Sequence, residues 1–216
     1  MWIKLVLLSA LAGAGLASPV ALIVDAPSPL PPGVAFSFRQ EIDQVFRETG
    51  YHFTWIDRAR MRPEDSFPDL VVLRLQSECR MDAAPAPLLP GRVHALAWAH
   101  RTGDEVLPFI EVDCARVRHM LRVLAHGEPA AVQQEMIGRA LGRVVAHELY
   151  HVLTGSPAHA PAGIAQASLS PTHLASPTLA FTPREISLLS QRSLAARSLT
   201  PAAPATADEA ATDSAR

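Results

Sequence analysis

Apolar and polar positions follow two different periods along this chain. Residues 19–25 are an apolar run of strand length, and the proline-rich stretch 27–32 reads as a loop, because proline rings continue neither a ladder nor a helix interior. Within 36–49, Phe38, Ile42, Val45 and Phe46 recur at three- and four-residue spacing. Glu41, Asp43, Gln44, Arg47 and Glu48 fall on the opposite, polar side, and Gly50 stops the predicted helix. Tyr51, Phe53 and Trp55 then alternate with polar residues, as in a half-buried strand. Further strand-length runs occupy 69–76, 93–100 and 107–113. The last two are separated by Arg101-Thr102-Gly103-Asp104, which suits a hairpin.

The period then becomes helical. Val117, Met120, Leu121 and Leu124 share one side of a helix predicted over 115–125, stopped by Gly127 and Pro129. The longest helical pattern begins beyond Pro129 and runs to about Thr154, and Thr182-Pro183-Arg184-Glu185 has the cap, proline and glutamate of another helix start. Strands interleaved with a helix first and helices last make an α+β domain. A formal charge of -2, with Lys4 the sole lysine, leaves no cationic excess for phosphates, so nucleic acid is excluded as a partner.

The ends differ from the middle. Lys4, an apolar run from Leu5 and small residues through Ala17 and Ser18 have the layout of a secretory signal, which places residues 1–17 in a cleaved signal peptide. Residues 18–199 form the domain, and the Ala/Pro/Thr-rich tail 200–216 has the composition of a disordered segment. No segment after the signal is long enough to span a bilayer. Export to the periplasm or beyond matters for Cys79 and Cys114. Each follows a strand-like run, so a bridge at neighbouring strand ends is expected in an oxidising compartment.

His147-Glu148-Leu149-Tyr150-His151 carries the chemistry. Two histidines four apart on a helix project from one face, so both imidazoles can reach one ion, with the glutamate beside it. At about 100° per residue the two histidines continue a stripe of Met136, Ala140 and Val144, with Arg139 and Arg143 on the flank away from the core. Imidazoles at the edge of an apolar stripe need partners, since an unsatisfied buried polar group costs about 1–3 kcal/mol. Zn2+ is the expected cofactor, from the imidazole spacing and the borderline softness of the ligands.

These residues resemble the zincin metallopeptidases. The continuation His151-Val152-Leu153-Thr154-Gly155-Ser156-Pro157-Ala158-His159 is similar to the metzincin arrangement, in which a glycine turns the chain and a third histidine follows. In that superfamily the glycine and third ligand stand three and six residues after the second histidine; here they stand four and eight after it. His159 is the candidate third ligand, with His173 and Glu185 as rivals; no aspartate occurs between Asp113 and Asp208. No methionine follows Met136, so Gly163-Ile164-Ala165-Gln166 stands where the family's Met-turn would be. Residues 179–186 resemble the closing helix of small matrixin-like peptidases.

The resemblance implies a zincin, metzincin-like fold: a small mixed sheet with an edge hairpin, an active-site helix and a C-terminal helix. It implies a secreted or periplasmic zinc peptidase in which His147, His151 and His159 hold the metal and Glu148 is the general base for a zinc-activated water. A peptide or protein substrate would pair with the edge strand expected at 93–99. The alternatives are a non-catalytic secreted binding protein that keeps the fold and a bound metal, and a periplasmic metal buffer.

Overall fold

A computed structural model describes residues 19–84 and 95–199. Five strands form one sheet: Val20–Asp25 (β1), Phe53–Asp57 (β2), Leu70–Gln76 (β3), Ala97–Thr102 (β4) and Glu105–Asp113 (β5). Their order is β2-β1-β3-β5-β4, with every pairing parallel except that of β4 with β5. Among the described residues five α-helices accompany them, besides a 3-10 turn at Arg58–Arg60: Pro32–Phe46 (α1), Cys114–Leu121 (α2), Ala130–Thr154 (α3), Pro171–Ala175 (α4) and Pro183–Leu199 (α5).

The core follows from strand alternation. Leu22, Val71, Leu73, Leu75, Ile110 and Val112 are buried beneath α1 and α3. Asp25, Arg74 and Glu111 align across β1, β3 and β5 as a row of alternating charge, with Arg74 3.3 Å from Asp25 and 3.6 Å from Glu111. α1 and α3 approach closely because Gly138 and Gly142 face α1. A Cβ on Gly138 would lie 2.6 Å from the Val34 carbonyl oxygen, and one on Gly142 2.5 Å from Glu41 Cβ.

The pattern predicted most elements, with instructive departures. α1 begins at Pro32, inside the expected loop, because a proline in the first helical turn gives up no hydrogen bond. It ends at Phe46, earlier than expected, and α2 stops at Leu121. The hairpin strands reach further toward their turn than predicted, leaving Gly103 and Asp104 as a two-residue connection. Gly103 takes φ 60°, the positive value such a turn demands at its first position. α4 is an addition, started by Ser170, Pro171 and a reciprocal cap between Ser170 and His173.

Two charged residues assigned to polar faces are in fact buried. Glu41 on α1 is 7% exposed and Arg143 on α3 only 1%. The Arg143 Nε–H donates to Glu41 Oε1 at 2.6 Å, and Nη1 donates to the carbonyls of His173 and Leu174 at 2.6 and 3.2 Å. A helical wheel sends charge outward; here the partner on the facing helix holds it in.

Cys79 and Cys114 are bridged, with Cα atoms 5.0 Å apart, joining the segment after β3 to the first residue of α2. Among the described residues no helix is long and apolar enough to cross a membrane. The signal segment 1–17 and the tail 200–216 lie outside the described residues, as do Val93 and His94 of the expected edge strand.

Candidate metal centre

α3 carries His147 and Glu148 on its penultimate turn and His151 on its last, then ends where Gly155 turns left-handed at φ 62°. That cap reverses the chain: the Ser156 N–H donates to the His151 carbonyl at 3.2 Å, and the Ser156 hydroxyl receives the Ala158 N–H at 3.2 Å. The two residues beyond the familiar spacing are taken up in this bend. His159 therefore returns to the helix, its ring centroid 5.2 Å from that of His147 and 4.8 Å from that of His151. One ligand atom from each of the three histidines lies within 4.8 Å of the other two.

Backbone carbonyls orient the helical pair. His147 Nδ1 lies 2.8 Å from the Ile164 carbonyl oxygen, and His151 Nδ1 lies 2.7 Å from that of Ser156. A carbonyl only accepts, so both Nδ1 atoms carry the proton and donate. Burial pushes both pKa values below the ordinary imidazole value, opposed by these hydrogen bonds and reinforced by the neighbouring rings. Both rings are thus neutral near pH 7, and each Nε2 presents a lone pair.

Those two Nε2 atoms are 3.2 Å apart. Neither has a proton to give the other, so the contact is repulsive unless a cation bridges it. A tetrahedral ion with Zn–N bonds of 2.0–2.1 Å would separate two ligand nitrogens by about 3.3 Å. The donor set fits zinc on this count, and imidazoles donating Nδ1–H to carbonyls are the usual support of such ligands.

The turn at residues 163–166 supplies that support. Gly163 takes φ 75°, and a Cβ there would lie 2.7 Å from the Ala180 carbonyl oxygen. Ile164 and Ala165 are fully buried, and the Ile164 N–H donates to the Ala180 carbonyl at 3.0 Å. Ala160 pairs with Gln166 in an isolated parallel bridge, which holds the residue after His159. The segment singled out in place of a Met-turn thus lies directly beneath His147.

Glu148 is 8% exposed and reaches across to the sheet edge. The Ala99 N–H of β4 donates to Oε2 at 2.7 Å, and Oε1 stands 4.0 Å from His147 Nε2. The carboxylate is held beside the imidazole pair at the floor of a cleft of about 670 Å³, whose lining includes β4, α3 and residues 167–169.

The rival ligands have other work. Glu185 caps α5, its Oε2 accepting the Thr182 N–H at 3.0 Å and also contacting the Thr182 hydroxyl. His173 caps α4 and lies with Nδ1 3.0 Å from Gln166 Nε2. Neither belongs to the histidine cluster.

Comparison with known proteins agrees at the level of fold. The chain is similar in structure to the archaemetzincin of Methanopyrus kandleri, with a TM-score of 0.50 and 18% identity over 86% of this chain and 99% of that one. It is similar also to a zinc-dependent peptidase of Methanocorpusculum labreanum, with a TM-score of 0.52 and 14% identity over 79% of this chain and 99% of that one. Neither a protein-family model nor a curated protein matches the chain.

Sequence reasoning named the three histidines and Glu148 but not the groups that aim them. The carbonyls of Ser156 and Ile164 and the N–H of Ala99 belong to the backbone, and residue type says nothing of where a backbone group points. Only Gly155 gave a signal, as a left-handed cap that turns Ser156 back onto the helix.

Proposed function

We propose that this chain is an exported zinc-dependent peptidase, with His147, His151 and His159 as the metal ligands and Glu148 as the general base. The carrying observation is the pair of neutral imidazoles whose Nε2 lone pairs face each other at 3.2 Å. Support comes from the shared fold with two proteins named as an archaemetzincin and a zinc-dependent peptidase, and from the open cleft beside the site. The Cys79–Cys114 bridge and the N-terminal pattern favour an oxidising compartment outside the cytosol.

A bound zinc ion supplies Lewis-acid chemistry, polarising a carbonyl and bringing the pKa of water to about 7. The chain's own residues do the rest. Glu148 accepts a proton from the attacking water and passes it to the leaving amine. The Ala99 N–H fixes its carboxylate for both transfers. β4, at the edge of the sheet, offers its backbone to an extended peptide lying along the cleft.

Glu148→Gln is the direct test. The variant should bind one equivalent of zinc, as read by elemental analysis of the purified protein, and lose hydrolysis of an unfolded polypeptide by about 100- to 10,000-fold. Unchanged hydrolysis would remove Glu148 from the reaction. Purified protein that takes up no zinc would remove the metal assignment.

A further inference from the structure

The cleft has a charge pattern that the reaction itself does not require. Among the described residues lining it, Glu148 is the single acid, whereas Arg101, Arg116 and His119 are basic. Arg116 is paired with Asp113 and Arg101 with Asp104, so the cleft lining presents cations whose counter-charges lie outside it.

The fold places the two arginines at opposite ends. The Asp113 N–H donates to the Leu96 carbonyl at 2.9 Å, which sets the start of β4 against the first turn of α2. Ala99, which holds Glu148, is three residues along, about 10 Å at strand rise. Arg101 lies further on, at the hairpin end. An extended peptide centred on Glu148 would therefore carry a residue near its scissile bond toward the α2 end.

That end is firmly built. Residues 116, 119 and 120 stand at the spacing that shares one helix face, and all three line the cleft. Asp113 caps α2 by accepting the Arg116 N–H at 2.9 Å, and its other carboxylate oxygen lies 3.4 Å from Arg116 Nε. The Arg116 side chain is only 11% exposed. The disulfide anchors Cys114, the first residue of the same helix. A guanidinium already ordered by Asp113, in a cleft whose lining also includes Leu96, Met120 and Val144, loses little freedom on binding an anion.

We infer that the α2 end of the cleft is a subsite for a carboxylate, with Arg116 as a specificity-determining residue assisted by His119. The substrate class is peptides with aspartate or glutamate within three residues of the bond cut, or with a free C-terminal carboxylate at that position. This inference rests on the peptidase reading for its geometry, but its test can fail separately.

The experiment measures binding of fluorescent peptides to zinc-loaded Glu148→Gln protein, in which turnover should be too slow to disturb the measurement. Paired peptides differ by Glu against Gln at one position, scanned across three residues on each side of the centre, each as free acid and as C-terminal amide. At one register the Glu peptide should bind about tenfold tighter than its Gln partner. A preference kept by the amides assigns the side chain as the source; one lost in them assigns the chain terminus.

Arg116→Gln should abolish the preference, and Arg116→Lys should retain most of it. Should Arg116→Gln fail to fold, His119→Glu on the exposed side of the same wall should weaken the Glu peptides selectively. Equal binding of Glu and Gln peptides at every register overturns the inference. So does a preference untouched by both Arg116→Gln and His119→Glu. If wild-type protein cuts no peptide while the Arg116-dependent preference persists, the subsite stands and the peptidase reading falls.

Discussion

Two polar clusters occupy successive turns of α3, and the fold completes only one of them. Arg143 is buried against Glu41 and two carbonyls of the α4 segment, so charge meets charge inside the protein. One turn later His147 and His151 are satisfied at Nδ1 alone, and their Nε2 atoms face one another at 3.2 Å. The first cluster ties α3 to α1 and α4. The second is the one that, on the proposed function, a divalent cation would complete. A polar group that the chain finishes by itself reads as structure, and one left open beside a cleft reads as a site.

Substitutions should separate the two. His151→Ala removes one member of the facing pair and should abolish stoichiometric zinc binding and all measurable peptide hydrolysis, the largest effect expected here. The metal-free variant should unfold at nearly the same denaturant concentration as metal-free wild type, because loss of the buried ring and its Ser156 hydrogen bond is offset by relief of the Nε2–Nε2 repulsion. A metal-free variant far less stable than its parent would mean that the two clusters are one structural network, and the contrast would be lost.

Arg143→Met should behave in the opposite way. It leaves the buried Glu41 carboxylate with Arg139 alone, 4.0 Å from its Oε2, a loss approaching that of a buried charge stripped of its partner, about 3–5 kcal/mol. Burial by itself drives the Arg143 pKa down, and Glu41 opposes the shift, so the pair holds its charges mutually. Denaturant titration reads the loss, while zinc uptake by the folded fraction should stay at one equivalent. Glu41→Gln combined with Arg143→Met should recover much of the stability, because the stranded charge goes with its partner.

The contrast also explains what could be read from residues alone. The histidines, their spacing and the return of His159 after Gly155 were legible, since each rests on a local rule: helical pitch, or a left-handed cap. The disulfide was legible from two strand ends that turn out to be neighbours in the sheet. The burial of Glu41 and Arg143 was not, because each looks like ordinary surface charge until the facing helix is in place. Nor was the reason for Gly138 and Gly142, whose missing side chains admit α1. Tertiary partners, not local pattern, decided these positions.

Gly155 offers the finest test, because it joins the helix end to the site. Its φ of 62° suits glycine, and nothing lies within 4 Å of where a Cβ would sit. Gly155→Ala should therefore cost only the conformational penalty of a left-handed residue, about 1–2 kcal/mol. Gly155→Asn should cost less, since asparagine tolerates that region. The same cap directs the Ser156 carbonyl to His151 Nδ1, so zinc affinity should weaken modestly in the alanine variant and recover in the asparagine one. Competition with a chelator of known affinity measures this. If stability falls in the alanine variant while zinc affinity stays fixed, the orientation of His151 comes from the rest of the apolar wall, and the Ser156 carbonyl only follows the ring.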